Sequence, residues 1–125
     1  MQIYKVGGDL EFSITEGKLI RDIELFGKQD PYCKITFKGK EEQTEVASNA
    51  GKTPKWTKTF RITVKDLNDD LLIEVFDKGM ASDDLIGFCN IKVSSLIINA
   101  EPGRPKPSDW FSVFYNNERA GFIKI

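Results

Sequence analysis

Apolar and polar positions alternate with a period of two along most of this chain. Leu10, Phe12 and Ile14 interleave with Glu11, Ser13 and Thr15; Cys33, Ile35 and Phe37 interleave with Lys34, Thr36 and Lys38. Phe60, Ile62 and Val64 alternate in the same way with Arg61, Thr63 and Lys65. Successive side chains of a strand point to opposite faces, so each run predicts a strand with one dry and one wet face. Segments 42–48, 70–77, 86–94, 110–116 and 120–125 extend the pattern to about eight short strands, bounded by Gly, Pro, Asn or Asp clusters. No helical period of useful length interrupts them. The pattern predicts an all-β fold, an eight-stranded antiparallel Greek-key β-sandwich. Segment 99–109, NAEPGRPKPSD, is too proline-rich for a strand and is expected to form a long surface loop. Strand character resumes after it in WFSVFY and AGFIKI, so residues 1–125 are read as a single domain.

Composition narrows the function more than the fold. Eighteen basic and nineteen acidic residues leave a net charge of −1, so any attraction to an anionic surface must come from a local patch. Glutamates interleaved among the lysines speak against nucleic-acid binding. The chain has no histidine, which removes the commonest general base and the commonest neutral metal ligand. Its two cysteines, Cys33 and Cys89, lie in apolar runs and read as buried free thiols in a reducing compartment, not as nucleophiles. An enzyme is therefore not expected. No apolar run reaches transmembrane length and MQIYKVGGDLEF lacks a signal-peptide core, so the expected setting is intracellular, as a whole protein or an excised domain.

Two stretches carry candidate chemistry. The first is EGKLIRDIELFGKQDPYCKITF; the second is LLIEVFDKGMASDDLIGF, where a strand runs into Asp77, crosses a short tip and returns through Asp83, Asp84 and Gly87. Carboxylates on loops that converge at one pole of a sandwich are the hard oxygen ligands that calcium prefers. Aspartates also flank tight turns and bond to backbone amides, and both readings stay open here. Taken with TPKWTKTFRITV, these stretches resemble a C2 domain, the lipid-binding module first defined in protein kinase C, over about residues 10–93. The resemblance rests on three ordered motifs: a loop closing on Asp-Pro-Tyr, a Pro-x-Trp-x-x-x-Phe segment, and an Asp-bearing loop closing on Asp-x-Ile-Gly. It implies an eight-stranded sandwich, with a strand order similar to the permuted arrangement called type II. Trp56 falls at a packing position.

Carried over residue by residue, the calcium pattern is incomplete. Asp30 matches the second ligand of the first loop. Glu24 stands six residues earlier where the family usually has Asp, with Asp22 two residues before it. Asp77 matches the first ligand of the last loop and Asp84 the final one, with Asp83 as a neighbour. Gly79 replaces the ligand between them and brings no oxygen. The candidate metal set is thus Asp30, Asp77, Asp84, Asp83 and Glu24, and the expectation is a calcium site that is weak or lost.

The same resemblance places Leu25 and Met80 where many members carry residues that enter a bilayer, with Phe26 beside Leu25. Phe26 reads equally as a lid folded over the loops. The family's basic lipid-contact face would use Lys34 and Lys38, yet Glu41, Glu42 and Glu45 stand where further cations would be expected. Lys52 begins a second basic run around the middle loop. The expected function is a phospholipid membrane-targeting module, cytoplasmic, monomeric and peripheral to anionic membranes. The alternative is a protein-interaction or scaffolding module without calcium or lipid.

Overall fold

A computed structural model describes residues 2–4, 8–97 and 105–125. Within them the alternating runs become antiparallel strands: β1 Gln2–Tyr4, β2 Asp9–Ser13, β3 Glu16–Leu19, β4 Pro31–Phe37, β5 Lys40–Gln43, β6 Thr59–Thr63, β7 Asp70–Asp77, β8 Asp84–Lys92, β9 Pro105–Lys106, β10 Trp110–Tyr115 and β11 Glu118–Lys124. One sheet has the order β6-β2-β1-β9 and the other β3-β11-β10-β8-β7-β4-β5. The expected all-β sandwich is the fold found. The period-two pattern works as anticipated in β2, β6 and β7, where Leu10, Phe12, Phe60, Ile62, Leu71, Ile73 and Val75 point inward and are buried. Burying such a side chain contributes about 1.5–3 kcal/mol relative to leaving it in water. The rings of Phe12 and Phe60 meet across the β2–β6 ladder with centroids 5.4 Å apart. Cys33 and Cys89 are buried free thiols, and desolvation pushes Cys89 up to about 12.

The structure corrects the expected elements in four places. β3 is an added strand: after Ile14 and Thr15 the chain leaves β2 and pairs instead with β11, from Leu19↔Gly121 to Glu16↔Lys124. Its pattern is short and glycine-bearing, which hides it from periodicity. The third expected strand, 42–48, is β5 over Lys40–Gln43. Lys38 and Gly39 both take positive φ (50° and 79°), the requirement of a tight two-residue hairpin, so pairing starts at once with Phe37↔Lys40. At Thr44 the side chain enters the ladder: its Oγ1 accepts from Cys33 N–H (2.9 Å) while its own N–H donates to the Cys33 carbonyl (2.8 Å). The proline-rich segment is not wholly loop, because Pro105–Lys106 forms β9 against β1. β9 is an edge strand, where a residue without an N–H is tolerated. Residues 99–104 of that segment lie outside the described residues. A four-residue helix, α1 Ser94–Ile97, follows β8 and buries Leu96.

Candidate functional site

Three connections meet at one end of the sandwich: residues 20–30 between β3 and β4, residues 44–58 between β5 and β6, and residues 78–83 between β7 and β8. They are held together by polar side chains whose backbone partners lie on different loops. Gln29 is fully buried and acts as the hub. Its Oε1 accepts from Ile23 N–H (3.2 Å), and its Nε2 donates to the carbonyls of Arg21 (3.3 Å) and Gly51 (3.4 Å). Gly51 N–H returns a bond to the Gln29 carbonyl (3.0 Å). A buried amide needs this many partners, since an orphaned polar group there costs ~1–3 kcal/mol. The sequence reading missed Gln29. Its only signal is a polar residue just ahead of Asp-Pro, and its burial arises from loops far apart in sequence. Arg21 is a second unforeseen brace: its guanidinium donates to the Leu85 carbonyl (3.0 Å) and stacks 3.6 Å from the Tyr115 ring centroid.

The acidic residues divide by what they already bond. Asp77, 2% exposed, accepts Asp30 N–H at its Oδ1 (2.8 Å), and Lys78 N–H donates to the Asp30 carbonyl (3.0 Å). These two bonds stitch the first loop to the last. Asp30 Oδ1 takes Asn49 N–H from the middle loop (2.6 Å). Glu24 shares a hydrogen bond with Asp77. That bond, then repulsion from Asp77, and more weakly from Asp30 and Asp22, hold the Glu24 carboxyl above its ordinary range. Asp22 caps its own turn by accepting Glu24 N–H (3.1 Å). Asp83 braces the last loop, with Oδ2 bonded to the Tyr32 hydroxyl and Oδ1 to Gly79 N–H (3.0 Å) and near Lys78 Nζ (3.7 Å). The Tyr32 bond first, then the Gly79 amide and Lys78, lower the Asp83 carboxyl, while burial and the Asp83 charge push the Tyr32 phenol up. Asp84 is exposed and lies across the ladder from Asp77.

The structure therefore brings Glu24, Asp30 and Asp77 together at the pole, places Asp84 beside Asp77, and engages both Asp83 oxygens, one within the loop and one with Tyr32 of β4. Among the described residues no group of three or more carboxylates or thiols stands in an arrangement that could hold a metal ion. Gly79 matters here sterically as well as chemically. A Cβ at this position would lie 1.9 Å from the Ser82 carbonyl oxygen, so the loop as folded has no room for any side chain there.

The apolar residues at this pole behave differently. Leu25 is 91% exposed, Phe26 89% and Met80 fully exposed. Phe26 does not fold over the loops. The loop that carries Leu25 and Phe26 is tied to the loop that carries Met80 through the Lys78 N–H bond to the Asp30 carbonyl. Of the basic residues, Lys34 lies near Glu41 (3.1 Å) and Glu74 (3.8 Å) and Lys38 pairs with Asp69 (3.1 Å), so both charges are locally compensated. Lys52 is exposed, and its carbonyl accepts Leu19 N–H (2.8 Å), which puts it at the base of the first loop.

This two-sheet sandwich, with the three loops at one end, Asp-Pro-Tyr leading into β4 and Asp-Leu-Ile-Gly opening β8, matches the profile of the C2 domain over residues 8–113. The chain belongs to the C2 domain family. As a C2 domain it is a binding module and not an enzyme. It is similar to 16 kDa phloem protein 2 of Arabidopsis thaliana, 29% identical over 94% of this chain and 78% of that protein. It also resembles a calcium-dependent lipid-binding protein of Arabidopsis thaliana, 30% identical over 74% of this chain but only 18% of that larger protein. Among solved structures, a C2 domain of plant extended synaptotagmin 1 superposes with a TM-score of 0.75, covering 94% of this chain and 90% of that one at 18% identity. Among the described residues no helix is long and apolar enough to cross a membrane.

Proposed function

We propose that this C2 domain is a cytoplasmic, monomeric membrane-targeting unit spanning residues 1–125, docking its loop pole on anionic phospholipid without needing calcium. The observation that carries the reading is the trio Leu25, Phe26 and Met80, each about nine-tenths exposed or more, on two loops bonded to each other. Three large apolar side chains at one pole are otherwise an unfavourable use of surface. At interfacial depth each would contribute ~1 kcal/mol, less than the 1.5–3 kcal/mol of full burial. That sum gives reversible, peripheral attachment. With Asp77 buried and Asp83 held by Tyr32, Gly79 and Lys78, the acids facing outward are Asp22, Glu24 and Asp84, and the exposed Lys28 and Lys52 offset part of their charge beside the headgroups. A relative named for calcium-dependent lipid binding supports the lipid half of this reading.

The donor set does not fit a resident calcium ion. Calcium takes about six to eight oxygens. Here one oxygen of Asp30 and one of Asp77 already accept backbone N–H groups, Asp83 is held by Tyr32, and the Gly79 position admits no side chain. Co-sedimentation with phosphatidylserine-containing vesicles, with calcium and with chelator, tests the proposal. Wild type should pellet equally in both, and a Leu25→Ala/Met80→Ala double variant should bind several-fold more weakly. Absence of pelleting in both conditions would refute membrane targeting; pelleting only with calcium would refute its calcium independence.

A further inference from the structure

The seven-stranded sheet has one weak seam. Every other pair of adjacent strands in it is registered over at least four residues, whereas β8 and β10 are registered at a single pair, Phe88↔Phe114. Around that pair the two strands border an open groove of about 620 Å³. Its walls come from both faces of the sheet. Cys89, Ile91 and Phe111 belong to the inward or part-buried set, while Phe88 and Phe114 are 41% and 40% exposed. Asn90, Ser112 and Asn117 supply polar groups along it. The groove is thus an apolar slot reaching toward the core, bordered by two strands and rimmed by amide and hydroxyl groups.

Charge beside the slot is one-sided. On the β8 flank, Phe88 pairs with Glu74, whose carboxylate lies near Lys34 (3.8 Å). On the β10 flank, Phe114 pairs with Arg119, one strand away. The Arg119 guanidinium sits 5.3 Å from the Phe122 ring centroid and has no carboxylate partner among the described residues. A partner would therefore find an open cation on one side only.

We propose that this slot receives an extended protein segment, which inserts a large apolar side chain between Phe88, Phe111 and Phe114 and sets a carboxylate against Arg119. An extended chain fits because the bordering strands and the rim of Asn90, Ser112 and Asn117 can hydrogen-bond its main chain, while the slot selects the side chain. The carboxylate follows from the uncompensated cation, since complementary charge sets register and partner choice. The lining includes none of Leu25, Phe26 and Met80, so the site stands or falls independently of membrane docking.

The test is a chemical-shift titration of the whole 125-residue chain with two defined probes. One is acetyl-Asp-Glu-Phe-Trp-Asp-Glu-amide; the other replaces its four acids by Lys and Arg. The acidic probe should saturate, with shifts confined to Phe88–Ile91, Phe111–Phe114 and Asn117, and bind about tenfold more tightly than the basic one. Arg119→Glu, a change at an exposed site, should remove that preference. Ser112→Trp should abolish binding by filling the slot while leaving the remaining spectrum in place. Equal binding of both probes, shifts centred on residues 20–30 or 78–83, or no saturation by about 1 mM would overturn the proposal. So would protection of the groove amides by phosphatidylserine vesicles in preference to the acidic probe.

Discussion

The first and last loops of the pole do the same geometric work by opposite means. Residues 20–30 draw most of their bracing from outside, through Gln29 to Gly51, Asp30 to Asn49 and Asp77, and Arg21 to Leu85, beside the internal bonds of Gln29 and Asp22. Residues 78–83 are largely held from within, through Asp83 to Gly79 and Lys78, with the Tyr32 hydroxyl and the Asp30 carbonyl as outside anchors. A loop braced by others transmits damage to them; a self-braced loop keeps it local. Both nevertheless lift apolar tips into solvent, which shows that exposure of Leu25, Phe26 and Met80 does not depend on one bracing scheme.

The sharpest break in this contrast is Gln29→Leu. It leaves the Ile23 amide and the Gly51 and Arg21 carbonyls without their buried partner, and we expect a loss of ~3 kcal/mol in urea denaturation. Amide exchange should accelerate in residues 44–58 as well as in 20–30. Damage confined to the first loop would refute the hub role. Gly79→Asp comes next. Supplying the carboxylate that the last loop lacks should cost about 1–3 kcal/mol through the clash with Ser82, and calorimetric titration should show no gain in calcium affinity. A gain would mean that the loop rebuilds itself around an ion.

How much of this was legible in sequence depends on distance along the chain. Alternation in β2, β4, β6 and β7 is local, so those strands and their buried faces could be read directly. β3 escaped because Gly17 and Leu19 make too short a pattern, and its partner β11 lies about a hundred residues away. Gln29 escaped for a related reason: nothing within its neighbourhood indicates that the middle loop closes over it at Gly51. Asp83 was ambiguous in sequence because the same carboxylate serves an ion or a turn, and Tyr32, which decides its bonding here, is fifty-one residues distant. Gly79 could be seen as a missing ligand, but not as a position closed to replacement.

Smaller effects sharpen the comparison from the self-braced side. Tyr32→Phe should lower the melting temperature less than Gln29→Leu. The Asp83 carboxyl is lowered by this bond, so its stabilising contribution is present above the ordinary value of 3.8 and is lost as pH falls through the depressed folded value. Melting curves of wild type and Tyr32→Phe should therefore converge in strong acid; a constant gap would show that the hydroxyl acts through packing instead. Smallest of all, Leu25→Ala/Met80→Ala should leave stability within about 0.5 kcal/mol of wild type, because neither side chain is buried. A larger loss would mean that these tips support the fold and are not surplus to it.

The edge strand β9 carries a consequence for how this domain behaves when concentrated. A sheet edge is a template for another chain, and amyloid growth or strand exchange begins where N–H and C=O groups stand in an unfilled row. One border of the four-stranded sheet ends in Pro105, which has no N–H to offer. One border of the seven-stranded sheet ends in the fully exposed Lys-Glu-Glu-Gln run of β5. These two borders thus discourage sheet-to-sheet growth when molecules of this domain are crowded together.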